Sequence, residues 1–144
     1  MIEQAIPIHF VLQLSLMEVV AAVIERDERI LICQRKPGGR HPLKWEFPGG
    51  KVEPGEDSRT ALARELREEL QIDVAIGALI HTETVQYPDS PAIHLEFYQV
   101  TEFSGDPVNL EFEQIVWEDR QNLAAYDFLE GDIPFVKRLA EPRP

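Results

Sequence analysis

The chain has 144 residues, with 26 Asp+Glu against 14 Lys+Arg, a formal net charge of −12 and a pI of about 4.7. That length fits one domain, and an apolar share of 44% is too high for a disordered acidic tail. So acidic a chain suits neither nucleic-acid polymers, where Lys and Arg supply most of the affinity, nor an anionic membrane surface; a phosphate-bearing small molecule is still allowed, because bound cations reverse a local field.

Residues 5–24 are apolar-rich, but Pro7, His9, Gln13, Ser15 and Glu18 interrupt them too often for a membrane span of ~20 apolar residues. No basic segment precedes them, as a secretory signal requires. They read as two strand-like pieces, roughly 8–14 and 17–24. Met17 is an alternative start, which would leave 1–16 as an N-terminal extension packed on the domain or on a partner chain, and 17–144 as the main domain.

The charged stretch Glu25–Arg29 is a turn, and Ile30–Cys33 resumes the apolar pattern, so the two flanking strands read as a hairpin. Cys33 has no second cysteine to pair with, which suits a reducing, cytoplasmic setting, and it reads as a small buried strand residue. Lys36–Pro48 reads as a loop rich in Pro and Gly, and Glu53–Glu56 as a turn. A helix follows, with Asp57 as N-cap and Leu62, Leu66 and Leu70 as its apolar stripe. Val74–Val85 is strand-like but broken at Gly77, Ile93–Val100 alternates as a strand, and Gly105–Pro107 is a turn. Ile115–Trp117 is a short strand, Glu118–Ala124 a short helix, and Asp132 caps a last helix with Pro134 in its first turn. Strands outnumber helices in mixed order, which favours an α+β or α/β/α sandwich with a mixed sheet over a parallel doubly wound fold.

The chemistry concentrates between Gly50 and Ile72. Glu65, Glu68 and Glu69 stand at i, i+3 and i+4, so three carboxylates share one helix face. Such a face is either a solvated acidic surface with an ion pair to Arg64, or a hard-oxygen site for Mg²⁺ or Mn²⁺. The glycine turn before the helix and the separate Glu56 favour the second reading.

The spacing Gly50, Glu56, Arg64, Glu65, Leu66, Glu68, Glu69, Ile72 resembles the Nudix box, G-x5-E-x7-R-E-U-x-E-E-x-G-U, with U a bulky aliphatic residue. Gln71 stands where the family has its last Gly, a position expected to need left-handed backbone. Met17–Ile24, Gln34–Arg35, Trp45–Glu53 and Trp117 extend the likeness to the MutT-type branch, nearest its CTP pyrophosphohydrolase and 8-oxo-dGTP diphosphatase members, over roughly residues 17–140.

The resemblance implies a Nudix fold with its loop-helix-loop. It implies a divalent metal, Mg²⁺ with Mn²⁺ able to substitute, held by Glu65, Glu68, Glu69, the Gly49 carbonyl and the supporting Glu56. It adds a loop carboxylate ahead of the strand at Trp117, with Glu111 preferred and Glu113 competing. Arg64 orients the carboxylates, and Glu65 or Glu68 is the general base. Arg35 matches a phosphate contact, while Phe47, the region of Tyr87, and Asp132 line the base pocket. The implied activity is nucleoside triphosphate pyrophosphohydrolysis on (d)CTP, methylated dCTP or oxidised purine dNTPs, by a monomer or homodimer. An ADP-ribose or dinucleoside polyphosphate hydrolase and a non-catalytic nucleotide-binding regulator are the alternatives. His9, His41, His81 and His94 show no metal-ligand spacing, and Trp45 and Trp117 read as core or pocket-wall aromatics.

Overall fold

A computed structural model describes residues 16–142; the strand expected at 8–14 lies outside the described residues. The elements in order are β1 (Met17–Arg26), β2 (Arg29–Gln34), β3 (Trp45–Glu46), β4 (Gly49–Lys51), α1 (Ser58–Leu70), β5 (Asp73–Ala75), β6 (Leu79–Val85), β7 (Ile93–Val100), β8 (Glu102–Ser104), β9 (Gln114–Asp119) and α2 (Ile133–Ala140). Short 3-10 turns occupy Arg120–Ala125 and Glu130–Asp132.

β1 is the axis of the sheet, and its alternation explains the layers. Val20, Ala22 and Ile24 pack on one face with Leu62, Leu66 and Leu70 of α1. Ala21 and Val23 point to the other face, among Phe135, Val136 and Leu139 of α2. Both faces are therefore covered, as a strand with continuous apolar residues requires. β1 runs parallel to β7 from Met17↔Ile93 to Ile24↔Val100, and every other pairing in the main sheet is antiparallel, so the sheet is mixed.

On its other edge β1 changes partner. Val19–Ala21 pair with β4, whereas Glu25 and Arg26 pair with β2. β2 then diverges to pair with β9 and β3. Between β4 and β2 the sheet opens, and residues of the α1 face reach a cavity that lies against Val19, Ala21 and Leu95 of the α2 face.

Local chemistry accounts for the ends of α1. The Asp57 carboxylate accepts the Thr60 N–H at 2.8 Å, the N-cap bond expected. At the other end Gln71 adopts φ 57°, ψ 37°, and its N–H donates to the Arg67 carbonyl at 3.0 Å. The family's glycine geometry is thus kept by a residue with a Cβ.

Three readings need correction. The expected helix at 118–124 starts later: β9 continues through Asp119, because Glu118 and Asp119 still pair with Ile30 and Arg29, and a 3-10 turn follows. The loop at 36–48 contains one short strand, β3, and a second, β4, follows it directly; neither carries a long apolar run. Asp132 makes no side-chain cap bond to α2: with φ −88° and ψ −17° it already closes the preceding 3-10 turn, and its carboxylate turns inward. Cys33 is the buried strand residue expected. Among the described residues no helix is long and apolar enough to cross a membrane.

The strained C-cap yields a test. Gln71→Gly removes the left-handed penalty and is expected to stabilise the fold by about 1 kcal/mol, measured as a higher urea midpoint at unchanged slope. A lower midpoint would mean that side-chain contacts of Gln71 outweigh its backbone cost.

Candidate active site

The carboxylates of α1 reach the sheet because two glycines let them. A Cβ on Gly49 would lie 2.0 Å from the Val20 carbonyl oxygen, and one on Gly50 would lie 2.5 Å from the Glu65 carboxyl carbon. Gly49 leaves no room for a side chain against the Val20 backbone, whereas at Gly50 the carboxyl end of Glu65 would have to move aside. The Gly49 N–H donates to Glu69 Oε1 at 3.0 Å.

Arg64 sits among the acids as a hub. Its guanidinium grips Glu56 in a fork, Nε to Oε2 at 2.8 Å and Nη2 to Oε1 at 2.9 Å. Nη1 donates to Glu65 at 3.0 Å and more distantly to Glu68 at 3.4 Å, and Nη2 also donates to the Lys51 carbonyl at 3.2 Å. These hydrogen bonds hold the Glu56 carboxyl below its ordinary range and raise the guanidinium further. Glu65 is raised instead, because burial outweighs the help of Arg64. Glu68 is the freest of the set, with its side chain 59% exposed.

Glu69 has no such partner. Burial, then the charges of Glu65 and Glu46, push its carboxyl up to about 9 against the relief of the Gly49 N–H; Glu111 adds to the rise. Four carboxylates thus face one another through a half-buried volume. Their donors are hard oxygens with no sulfur or imidazole, the set that Mg²⁺ and Mn²⁺ take. One divalent cation would relieve the repulsion that holds the proton on Glu69. Among the described residues no three acids, imidazoles or thiols converge tightly enough to enclose a cation by themselves.

The same cavity, about 480 Å³, continues away from this bank. Its lining includes Gly49, Gly50, Glu69 and Glu111, and also a group joined by other contacts, Phe47, Tyr87, Leu129 and Asp132. Phe47 is buried and stacks on Phe128 with centroids 5.4 Å apart. Tyr87 accepts the Gly131 N–H at 3.1 Å, which ties the wall to the turn carrying Asp132. Asp132 is only 5% exposed, and burial and the charge of Glu46 drive its carboxyl well above its ordinary range, against the Phe47 N–H. Arg35 also lines the cavity, paired to Glu46 at 2.8 Å.

Of the residues named from sequence, Arg35, Phe47, Gly49, Glu69, Tyr87, Glu111 and Asp132 meet at this cavity. Glu65 stands behind Gly50, while Glu56 and Arg64 form the supporting network and Glu68 its exposed edge. Glu113 does not line the cavity; its N–H donates to the Gln34 carbonyl. Glu46 was missed, although a lone acid between Trp45 and Phe47 was the signal available: alternation sets it opposite two buried aromatics. His81 is satisfied, bonded to Glu83 at 2.7 Å and to Arg138 at 2.9 Å.

The raised carboxyl has a measurable consequence. From the ordinary value near 4.5 to about 9, the folded chain binds more protons at Glu69 than the unfolded chain does. Metal-free protein should therefore lose stability as pH rises through that window, with Glu69 adding at most ~1.4 kcal/mol per pH unit. Glu69→Gln should flatten the slope in thermal unfolding followed in chelator between pH 5 and 9. An unchanged slope would count against the crowding.

Comparison with known proteins agrees with this geometry. Residues 16–139 match the NUDIX domain model. The chain is 39% identical over 124 residues to the CTP pyrophosphohydrolase of Escherichia coli K12, covering 86% of this chain and 91% of that protein. It is 36% identical over 122 residues to the 8-oxo-dGTP diphosphatase of Haemophilus influenzae, covering 83% of this chain and 89% of that one. Among solved structures, that of the E. coli ORF135 protein superposes with a TM-score of 0.78 at 38% identity, over 90% of this chain and 95% of the other. Nudix hydrolases generally use divalent metal cations. With the box carboxylates in place and the match running nearly end to end, the chain belongs to the Nudix hydrolase family.

Proposed function

We propose that this protein hydrolyses nucleoside triphosphates to the monophosphate and pyrophosphate, with Mg²⁺ as its cation and Mn²⁺ able to replace it. The observation that carries the reading is one cavity joining a buried aromatic and carboxyl pocket to a bank of hard carboxylate oxygens. A base fits the first end and a cation-bearing polyphosphate the second. (d)CTP, methylated dCTP and oxidised purine dNTPs are the substrates favoured, consistent with a house-cleaning role in the cytoplasm.

Glu65, Glu68, Glu69 and the Gly49 carbonyl would hold the cation, with Glu56 and Glu111 supporting it. When bound, the cation neutralises phosphate oxygens and makes water more acidic. Arg64 keeps Glu56 and Glu65 in register. We assign proton acceptance to Glu65, which is part-buried against Gly50 and held by Arg64, so that one of its oxygens is placed by the protein. Glu68, exposed and loosely bonded, is the assigned ligand and not the base.

At the other end Asp132 reads the base. Burial pushes its carboxyl toward the neutral form, which both donates and accepts, whereas an ionised one only accepts. A neutral Asp132 widens the choice from an exocyclic amine to a ring edge that presents donor and acceptor together. The CTP and 8-oxo-dGTP names of the relatives support both substrate groups.

A pyrophosphate-release screen over canonical, methylated and oxidised nucleotides with Mg²⁺ tests the reading. Turnover of at least one triphosphate is expected, and oxygen-18 from solvent should appear in pyrophosphate; silence across the panel, with AMP released from ADP-ribose, would replace it. Glu65→Gln and Glu68→Gln should each lower kcat by about 10²-fold or more. Only the Glu65→Gln loss should shrink as pH rises, because hydroxide replaces a missing base. Asp132→Ala should raise KM about tenfold on the preferred base and change the ranking of bases.

A further inference from the structure

Two ends of the cavity have been given occupants, but a triphosphate also needs a place for its outer phosphates. The carboxylate bank repels them except through a cation. The loop from Arg35 to Lys44 contributes Arg35, Lys36 and Arg40 to the cavity lining and carries Lys44 as a fourth cation and no acid, in a chain of net charge −12.

Two of those four cations are committed. Arg35 pairs with Glu46 at 2.8 Å and Lys44 with Asp127 at 2.8 Å. Lys36 and Arg40 are exposed, line the cavity, and have no acidic partner among the described residues. The loop that carries them is built, not slack. Arg35 Nε donates to the Arg40 carbonyl at 2.9 Å, Gln34 Nε2 to the Leu43 carbonyl at 3.1 Å, and the Arg35 N–H to the Lys44 carbonyl at 2.8 Å. His41, in left-handed backbone at φ 52°, packs its ring 4.8 Å from Tyr87, so the loop is pinned to the base-pocket wall. Two exposed cations on a loop whose backbone is fixed against the cavity can reach an anion within it, and their side chains meet no protein anion among the described residues that would compete.

We propose that Lys36 and Arg40 form a rim site for the outer two phosphates of the nucleoside triphosphate, and hence for the pyrophosphate that leaves, and that they set the preference for triphosphates over diphosphates. The inference rests on the triphosphate reading above. It goes beyond it in giving this rim, outside the Nudix box, a specificity role.

The test is the double variant Lys36→Ala/Arg40→Ala beside wild type. Inorganic pyrophosphate with Mg²⁺ is titrated into each by calorimetry, and kcat/KM is measured for the preferred triphosphate and its diphosphate. Thermal unfolding checks the fold, which should be unaffected since neither side chain makes a protein contact that holds the loop. Pyrophosphate affinity and triphosphate kcat/KM should both fall about tenfold, the loss lying in KM, while diphosphate kcat/KM falls less than twofold. Equal losses for both nucleotides, unchanged pyrophosphate binding, or no binding to wild type would each overturn the rim site. Calorimetry needs no turnover, so a wild type that binds pyrophosphate but hydrolyses no triphosphate would sink the functional reading alone.

Discussion

Crowded carboxylates around a single guanidinium are the constraint on which the rest of this molecule depends. Like charges at i, i+3 and i+4 on α1 would weaken that helix if left unopposed. Arg64 opposes some of them: it forks onto Glu56 and reaches Glu65 and Glu68. It does not reach Glu69, whose carboxyl is pushed up to about 9 by burial and then by the charges of Glu65 and Glu46. The protein therefore neutralises one side of the cluster internally and leaves the other to a proton or a cation.

That arrangement requires the sheet to be open in one place. α1 and α2 cover opposite faces of β1, and a continuous sheet would separate the carboxylates of one from the pocket beside the other. β1 avoids this by pairing with β4 over Val19–Ala21 and with β2 only at Glu25 and Arg26. The opening is held by Gly49 and Gly50, where a methyl group would strike Val20 or Glu65. Loss of sheet continuity is thus the structural condition for one cavity lined by residues from both faces.

The sequence made α1 and its acids legible because their signals are local. Asp57 caps within three residues, Leu62, Leu66 and Leu70 recur every four, and Glu65, Glu68 and Glu69 follow the helical period. Gln71 was legible for the same reason: a helix end that needs left-handed backbone keeps it even without glycine. β3, β4 and β8 were not legible, since strands of two or three residues have no periodicity and exist only through distant partners. Asp132 misled for a related reason. Its position before Pro134 spells an N-cap, but the 3-10 turn and the backbone of Phe47 decide where its carboxylate goes. Glu46 depends on contacts with Arg35, Glu69 and Asp132, so no window of the chain displays its role.

The net charge of −12 now has a distribution as well as a size. Acid gathers at 53–69 and again at 111–132, and the loop from Arg35 to Lys44 has none. The cavity lies where these meet, and the exposed cations in its lining, Lys36 and Arg40 of that loop and Lys51 of β4, have no acidic partner among the described residues. Electrostatic focusing in a cleft acts over roughly one Debye length, ~8 Å at physiological salt. The field of a few cations on the rim is therefore felt at the mouth while the acids elsewhere are screened. Within the cavity the screening is weaker, and there the carboxylates need a divalent ion to meet phosphate at all. An acidic protein can handle a polyanionic substrate by this division: side-chain cations on one wall, carboxylates that recruit a metal ion on the other.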